Sequence, residues 1–322
     1  MGLLVRCLAG LLALGLGATS APAADFDCQR VTLIVPYPAG GATDVAARLI
    51  GDRLELGMKR SFVIENRPGA TGNIGTAAVA NAKPDGCTLL VNAAVIATFP
   101  SSFSKLGFDP VKDLTPIGGI GVTPTLLVAP KSLPADDLKG LVLLSKQRPD
   151  GLSFSTAGYG LLQHLAVEEM AQRTGAKFVH VVYKGGAQAA TDLIAGRIDF
   201  GSFAAGSVIQ FVKEGQLKPL GVIQEARSDL VPAVATTAEQ GVPDLDAGVH
   251  FMLYAPAATP REIVSLLNGE LNKVVGDPAL KQRFANIGYD PTALTPEAAA
   301  TIMRRTGEAW APLIKRLNIK LD

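Results

Sequence analysis

Two rhythms alternate along this chain. Short apolar runs rich in β-branched residues read as buried strands, and between them apolar residues recur at helical spacing. Residues 31–35 (VTLIV) form the first strand, which Pro36 and Pro38 stop because proline lacks an N–H for a sheet ladder. Val45, Ala46, Leu49, Ile50 and Leu54 then mark one face of a helix. Residues 62–65 and 87–93 repeat the strand signal around a glycine-dense loop, 66–75, and a small-residue helix ending at Ala82. Successive βα units of this kind predict a parallel sheet covered by helices, with right-handed crossovers. Residues 110–134 are rich in proline and glycine around a strand at 125–129, and read as the crossing into a second lobe.

Beyond that crossing the alternation restarts. Helices are expected at 136–147, 161–174 and 187–195, and strands at 152–155, 178–182, 198–203 and 218–223. The apolar segment 249–255 reads as the return crossing. The remainder is helical, with Ile263, Leu266, Leu267, Leu271 and Val274 on one buried face, a short helix opened by Asp277-Pro278, and Thr295 capping the last. The fold class expected is α/β with two lobes, each a mostly parallel sheet flanked by helices. Lobe 1 would hold 24–124 plus 248–322, and lobe 2 would hold 125–247.

Three strand-to-helix turns carry the candidate chemistry: Gly40-Gly41, Thr156-Ala-Gly-Tyr-Gly160 and Tyr183-Lys-Gly-Gly186. A glycine turn before a helix aims unpaired backbone N–H groups at one spot, and the helix dipole adds partial positive charge. An anion is the natural occupant. The first turn is neither a P-loop, since no Lys-Ser/Thr follows, nor a dinucleotide fingerprint, whose third glycine is missing. With the turns divided between two lobes, a cleft would receive helix N-termini from both sides, a geometry suited to a small dianion.

The first 24 residues change the picture. Arg6 is their only basic charge, 8–17 is an apolar core, and Ala21-Pro22-Ala23 fits a cleavage site, so 1–23 reads as a signal peptide. The mature protein is expected in the periplasm. Cys28 and Cys87 then remain in an oxidising compartment, each just ahead of or at the start of a strand. If those parallel strands are neighbours, both thiols share one sheet edge, and a structural disulfide is expected. Net charge is +1 with no basic block, which argues against a nucleic-acid partner.

Seven segments, VPYPAGGATDVAARLI (35–50), ENRPGATGNIG (65–75), KPDGCTLL (83–90), FSTAGYGLLQHLAVE (154–168), YKGGAQAATDLIAGRID (183–199), TTAEQGVPDL (236–245) and APAATP (255–260), run in the order of a known family. The chain resembles the substrate-binding proteins of tripartite tricarboxylate transporters, the TctC or Bug family. The resemblance implies a type 2 periplasmic-binding-protein fold that closes on an organic carboxylate, held by backbone amides and bridging water. It places Tyr37, Ala39, Gly40, Gly41, Thr43 and Asp44 on one wall, with Ala93 and Ala94 beside them. Thr156, Ala157, Gly158, Tyr159, Gly185 and Gly186 make the other wall. Two departures bear on ligand choice. Phe203 stands where relatives often carry an acid after the YxGG strand, and His250 and Met252 stand where an aromatic and a glycine are common.

Single residues admit two readings. Asp44 would repel a carboxylate, so capping is its expected role, with contact to a ligand amine, hydroxyl or water as the alternative. Tyr37 could cover the ligand or be a core tyrosine, and Thr156 could cap or touch ligand. Lys184 is expected solvated on the rim. His164, His180 and His250 show no metal-ligand spacing and default to core or rim positions. No metal or cofactor is implied. An exported hydrolase is disfavoured, because no Gly-x-Ser-x-Gly elbow exists and no nucleophile is paired with a base. A monomer is expected, delivering ligand to transporter membrane subunits or reporting it to a sensor.

Overall fold

Two mixed β-sheets, each between layers of helices, organise the chain. The computed structural model describes residues 26–183 and 186–321. The expected signal peptide, Lys184 and Gly185 lie outside the described residues. The first stretch runs β1 (Arg30–Val35), α1 (Ala42–Met58), β2 (Ser61–Asn66), α2 (Asn73–Ala80) and β3 (Thr88–Ala93), then short helices α3 (Phe99–Ser102) and α4 (Pro110–Asp113) into β4 (Leu114–Thr123). The second runs β5 (Thr125–Pro130), α5 (Leu138–Gln147), β6 (Leu152–Thr156), α6 (Leu162–Thr174), β7 (Phe178–Val182), α7 (Gly186–Ile194), β8 (Phe200–Ala204), α8 (Ala205–Lys213) and β9 (Leu217–Val222). The chain closes with β10 (Val249–Pro256), α9 (Arg261–Gly276), α10 (Pro278–Asn286), β11 (Asp290–Pro291) and α11 (Pro296–Arg316).

The first sheet has the order β11-β4-β10-β3-β1-β2 and the second β7-β6-β8-β5-β9. The βα units pair in parallel, β1 with β2 and β3, and β6 with β7 and β8. Strand β10 runs against its neighbours β3 and β4 in the first sheet, and β5 runs against β8 and β9 in the second. The two crossings are tied together, with Thr125 Oγ1 donating to the Ala247 carbonyl at 2.6 Å.

Strand alternation builds two cores around the first sheet. Leu33, Leu89 and Leu253 face α1 and α9 through Ile50 and Leu267, while Ile34, Leu90 and Met252 face α11 through Ala299 and Met303. The far half of α11 inserts Trp310, Leu313 and Ile314 among Phe154, Leu165 and Met170 around the second sheet. One helix thus packs against both sheets.

The ten-residue strand β4 is where sequence reading went astray, since it placed a strand only at 125–129 within the crossing. The sequence LTPIGGIGVT reads as loop by propensity. Its glycines answer to packing: a Cβ on Gly118 would lie 2.7 Å from the Asn268 amide nitrogen, one on Gly121 would lie 3.0 Å from the Asp290 carbonyl, and one on Gly119 would collide with the Thr292 carbonyl. The strand is bare because neighbouring backbone lies against it.

Cys28 and Cys87 are joined, with Cα atoms 5.4 Å apart. Thr32 pairs with Thr88 in the parallel β1–β3 register, so both cysteines stand at the N-terminal edge of these strands.

Candidate functional site

The turn after β1 is assembled around Asp44. Its buried carboxylate accepts from the Gly40 N–H at 2.9 Å, from Arg48 Nε and Nη2 at 2.9 and 3.0 Å, and from Asn66 Nδ2 at 2.9 Å. Asn66 also donates to the Tyr37 carbonyl at 3.0 Å. Burial alone would raise the Asp44 pKa, but the bonds from Arg48, Gly40 and Asn66 outweigh it and hold the acid below its ordinary range. These bonds occupy both oxygens. Asp44 fixes the turn in which Gly40 adopts a φ of +82°. Neither Thr43 nor Asp44 caps α1, whose N-cap is Gly41 with no side-chain bond. Ala39, Gly40 and Gly41 are exposed, and Thr43 is buried.

Tyr37 points inward. Its hydroxyl lies 3.3 Å from Asn92 Oδ1, which also accepts from the Ala93 N–H at 2.8 Å. Asn92 Nδ2 in turn donates to Thr76 Oγ1 at 3.0 Å. The tyrosine ring lies against Gly72, where a Cβ would come within 3.1 Å of its hydroxyl. Burial pushes the Tyr37 hydroxyl up to about 12. Ala93 and Ala94, both buried, therefore sit at the end of β3 beside Tyr37. Asn66, Arg48 and Thr76 were not picked out from sequence. An asparagine at a strand end before a glycine-dense loop was the available signal.

In the second lobe, Thr156 is fully buried. Its hydroxyl donates to the Gly158 carbonyl at 2.9 Å and lies 2.8 Å from His180 Nε2. The buried Nδ1 of His180 has no partner among the described residues. His164 Nδ1 accepts from the Gly160 N–H at 3.2 Å, and the two imidazoles stack at 4.1 Å. Tyr159, exposed, lies over His164 at 4.8 Å. Two histidines that spacing left as core or rim residues thus support the turn from beneath. Gly186 adjoins Ala157 and Ser207, whose Oγ would lie 2.7 Å from a Cβ at Gly186.

Burial, and then the His164 charge, push His180 down to about 4, opposed by Glu168. The native state thus holds His180 neutral where the unfolded chain, titrating near 6.5, takes up a proton. The stability is present above pH 6.5 and is lost as pH falls toward 4. Allowing for partial exposure, the loss is about 1–2 kcal/mol. Urea midpoints at pH 7 and pH 5 check this: His180→Gln should flatten the difference, and an unchanged difference would assign it elsewhere.

One position is corrected. Phe203 is fully buried with Leu126, Val128 and Leu193 and has no surface to offer a ligand. Met252 is likewise buried, and half-buried His250 lies 3.5 Å from the Asp246 carboxylate.

What the site offers an anion is main chain. Of the helices that follow the candidate turns, α1 and α6 have Gly41 and Leu161 at their N-caps, neither with a side-chain cap bond, and α8, which follows β8, starts at Ala204 in the same way. Helices α4, α5, α10 and α11 are capped by Asp109, Asp137, Asp277 and Thr295. Helices α2 and α9, with Gly72 and Pro260 at their N-caps, share the bare start. First-turn amides have no partner within their own helix, so a bare start leaves them for a ligand or water.

Residues 46–319 match the model of the tripartite tricarboxylate transporter family receptor. The chain is 32% identical over 298 residues to protein BugT of Bordetella pertussis, covering 92% of this chain and 91% of that protein. A solved R. palustris protein with adipate is similar at a TM-score of 0.75 and 32% identity, over 90% of this chain and 97% of that one. MatC of Rhodopseudomonas palustris with bound malate is similar at 0.71 and 28%, over 88% and 98%. The chain therefore belongs to the tripartite tricarboxylate transporter receptor family, whose members are solute-binding receptors and not enzymes.

Proposed function

We propose that this receptor works in the periplasm, closes its two lobes on a small organic carboxylate, and presents the closed form to the membrane subunits of a tripartite tricarboxylate-type transporter. The bare N-termini of α1 and α6, each directly after a glycine turn in a different lobe, carry the reading. A carboxylate bridging amides from both lobes stabilises the closed form over the open one, and that difference drives closure. Arg48, the cation of the first turn, is committed to Asp44, so charge recognition falls to helix amides. Relatives solved with adipate and malate support the ligand class.

Thermal shifts on stripped mature protein test it. A ligand at about 100 times its dissociation constant stabilises by about 2.7 kcal/mol, or roughly 5–10 °C for a chain of this size. Adipate, malate, citrate and aromatic acids form the panel, each against its amide. A rise with one acid and none with its amide supports the proposal. No rise with any acid on folded protein overturns it.

A further inference from the structure

The turn between β6 and α6 is held at both ends by imidazoles. At its start Thr156 Oγ1 lies 2.8 Å from His180 Nε2, and at its end the Gly160 N–H donates to His164 Nδ1 at 3.2 Å. His164 is 3% exposed and belongs to the first turn of α6. Gly160 has a φ of +76° and stands just ahead of Leu161, the bare N-cap of that helix. The bond to His164 thus sets where the main chain enters the helix.

A backbone N–H can only donate, so Nδ1 of His164 carries a lone pair. The neutral ring keeps its proton on Nε2, which lies 3.6 Å from the Glu168 carboxylate. An added proton has one place to go, Nδ1. Two N–H groups would then face each other, and the hold on Gly160 would be lost. The ionisable groups around the ring are Glu168 on its own helix, His180 on β7, stacked at 4.1 Å, and Tyr159 of the turn at 4.8 Å. Strand β6 brings Phe154, at 6.4 Å, and the segment after α11 brings Ile319 and Leu321 against Gly160. Glu168 would offset most of the imidazolium charge, so a carboxylate above the turn gains little attraction from it. What the carboxylate loses is the alignment of the turn's amides.

Resting on the carboxylate-receptor reading above, we propose that His164 is a positioning residue that couples ligand binding to a proton. With Nδ1 unprotonated it holds Gly160 and keeps the turn 156–160 in its binding shape. Proton uptake at Nδ1 from solvent releases Gly160, and ligand affinity falls. Binding and protonation then exclude each other, so ligand entry at acid pH expels the proton from His164.

Calorimetry on the mature protein tests this, with one acid that the thermal-shift panel has shown to bind, at pH 7.5 and pH 5.5. Buffers of different ionisation enthalpy count the protons exchanged. Wild type should bind about threefold to tenfold more weakly at pH 5.5, the worth of one hydrogen bond. His164→Asn sets an amide oxygen near the place of Nδ1, where it accepts from Gly160 and cannot titrate. It should bind within about threefold of wild type at pH 7.5. Its pH dependence should shrink to the part that the ligand's own carboxyls contribute, and it should expel fewer protons than wild type at pH 5.5. His164→Phe keeps a ring and removes the acceptor, so it should be about threefold to tenfold weaker already at pH 7.5. Melting curves confirm that both variants fold. The proposal is overturned if His164→Asn keeps the wild-type pH profile and proton count, if His164→Phe binds as tightly as wild type at pH 7.5, or if wild-type affinity is flat with pH. The receptor reading survives those results, because it falls only if every acid of the thermal-shift panel is silent.

Discussion

Replacing Asp44 by alanine lowers the melting temperature by roughly 5–10 °C and weakens carboxylate binding at least about tenfold. The carboxylate accepts from Gly40, Asn66 and two nitrogens of Arg48. Bonds to a charged group contribute about 1.5–3 kcal/mol, and water replaces part of the loss at half-exposed Arg48, so about 2–3 kcal/mol is lost in all. The sharper comparison is Arg48→Ala. It leaves a buried carboxylate without its counter-charge beside the proposed anion site. Like charges about 7 Å apart at an effective dielectric of ~20–40 repel by about 1–2 kcal/mol, or roughly tenfold in affinity. The double variant Asp44→Asn, Arg48→Ala should recover most of that loss, because the repelling charge is gone. Calorimetry with the acid chosen by the thermal-shift panel, at low and high salt, reads both effects. If Asp44 touched a ligand hydroxyl or amine instead, the double variant would bind worse than Arg48→Ala alone.

That cycle rests on a network which sequence reading saw in part. The repulsion between Asp44 and an anion was legible, since it follows from charge alone. Its resolution was not, because Asn66 is 22 residues away and reaches Asp44 only through the parallel β1–β2 register. The same limit applies to His180, 24 residues from Thr156, which supports the turn through the β6–β7 pairing. Local signals fared better. Thr295 caps α11, accepting from the Ala298 N–H at 3.2 Å, and the glycine turns fall where strand and helix periodicities change over. Strand β4 was missed because its glycines are dictated by the backbone packed on it, a tertiary cause that overrides local propensity. Phe203 was misassigned for a related reason: the position ends a strand near the site, but alternation turns its side chain into the core.

The other large effect belongs to stability alone. Replacing Cys28 and Cys87 together by alanine should lower the melting temperature by roughly 8–15 °C and leave ligand affinity within about twofold. The bond closes a loop with a sequence separation of 59. Chain entropy for a loop of that length gives about 4 kcal/mol, at about 2–4 °C per kcal/mol for a chain of this size. Without it, the segment ahead of β1 is held by the Arg60 bond to the Cys28 carbonyl at 2.7 Å and by Arg60 over the Phe26 ring at 4.8 Å. Arg60 stands just before β2, so both contacts tie the segment toward β2 and not to β3. Affinity is spared because the cysteines stand at the N-terminal edge of these strands, while Tyr37 and Ala93 follow or end them at the opposite edge. Thermal melts and calorimetry on the same variant separate the two quantities. A fall in affinity that tracks the fall in stability would mean that the β1–β3 register transmits to the glycine turn, and that the cleft is less rigid than its hydrogen bonds imply.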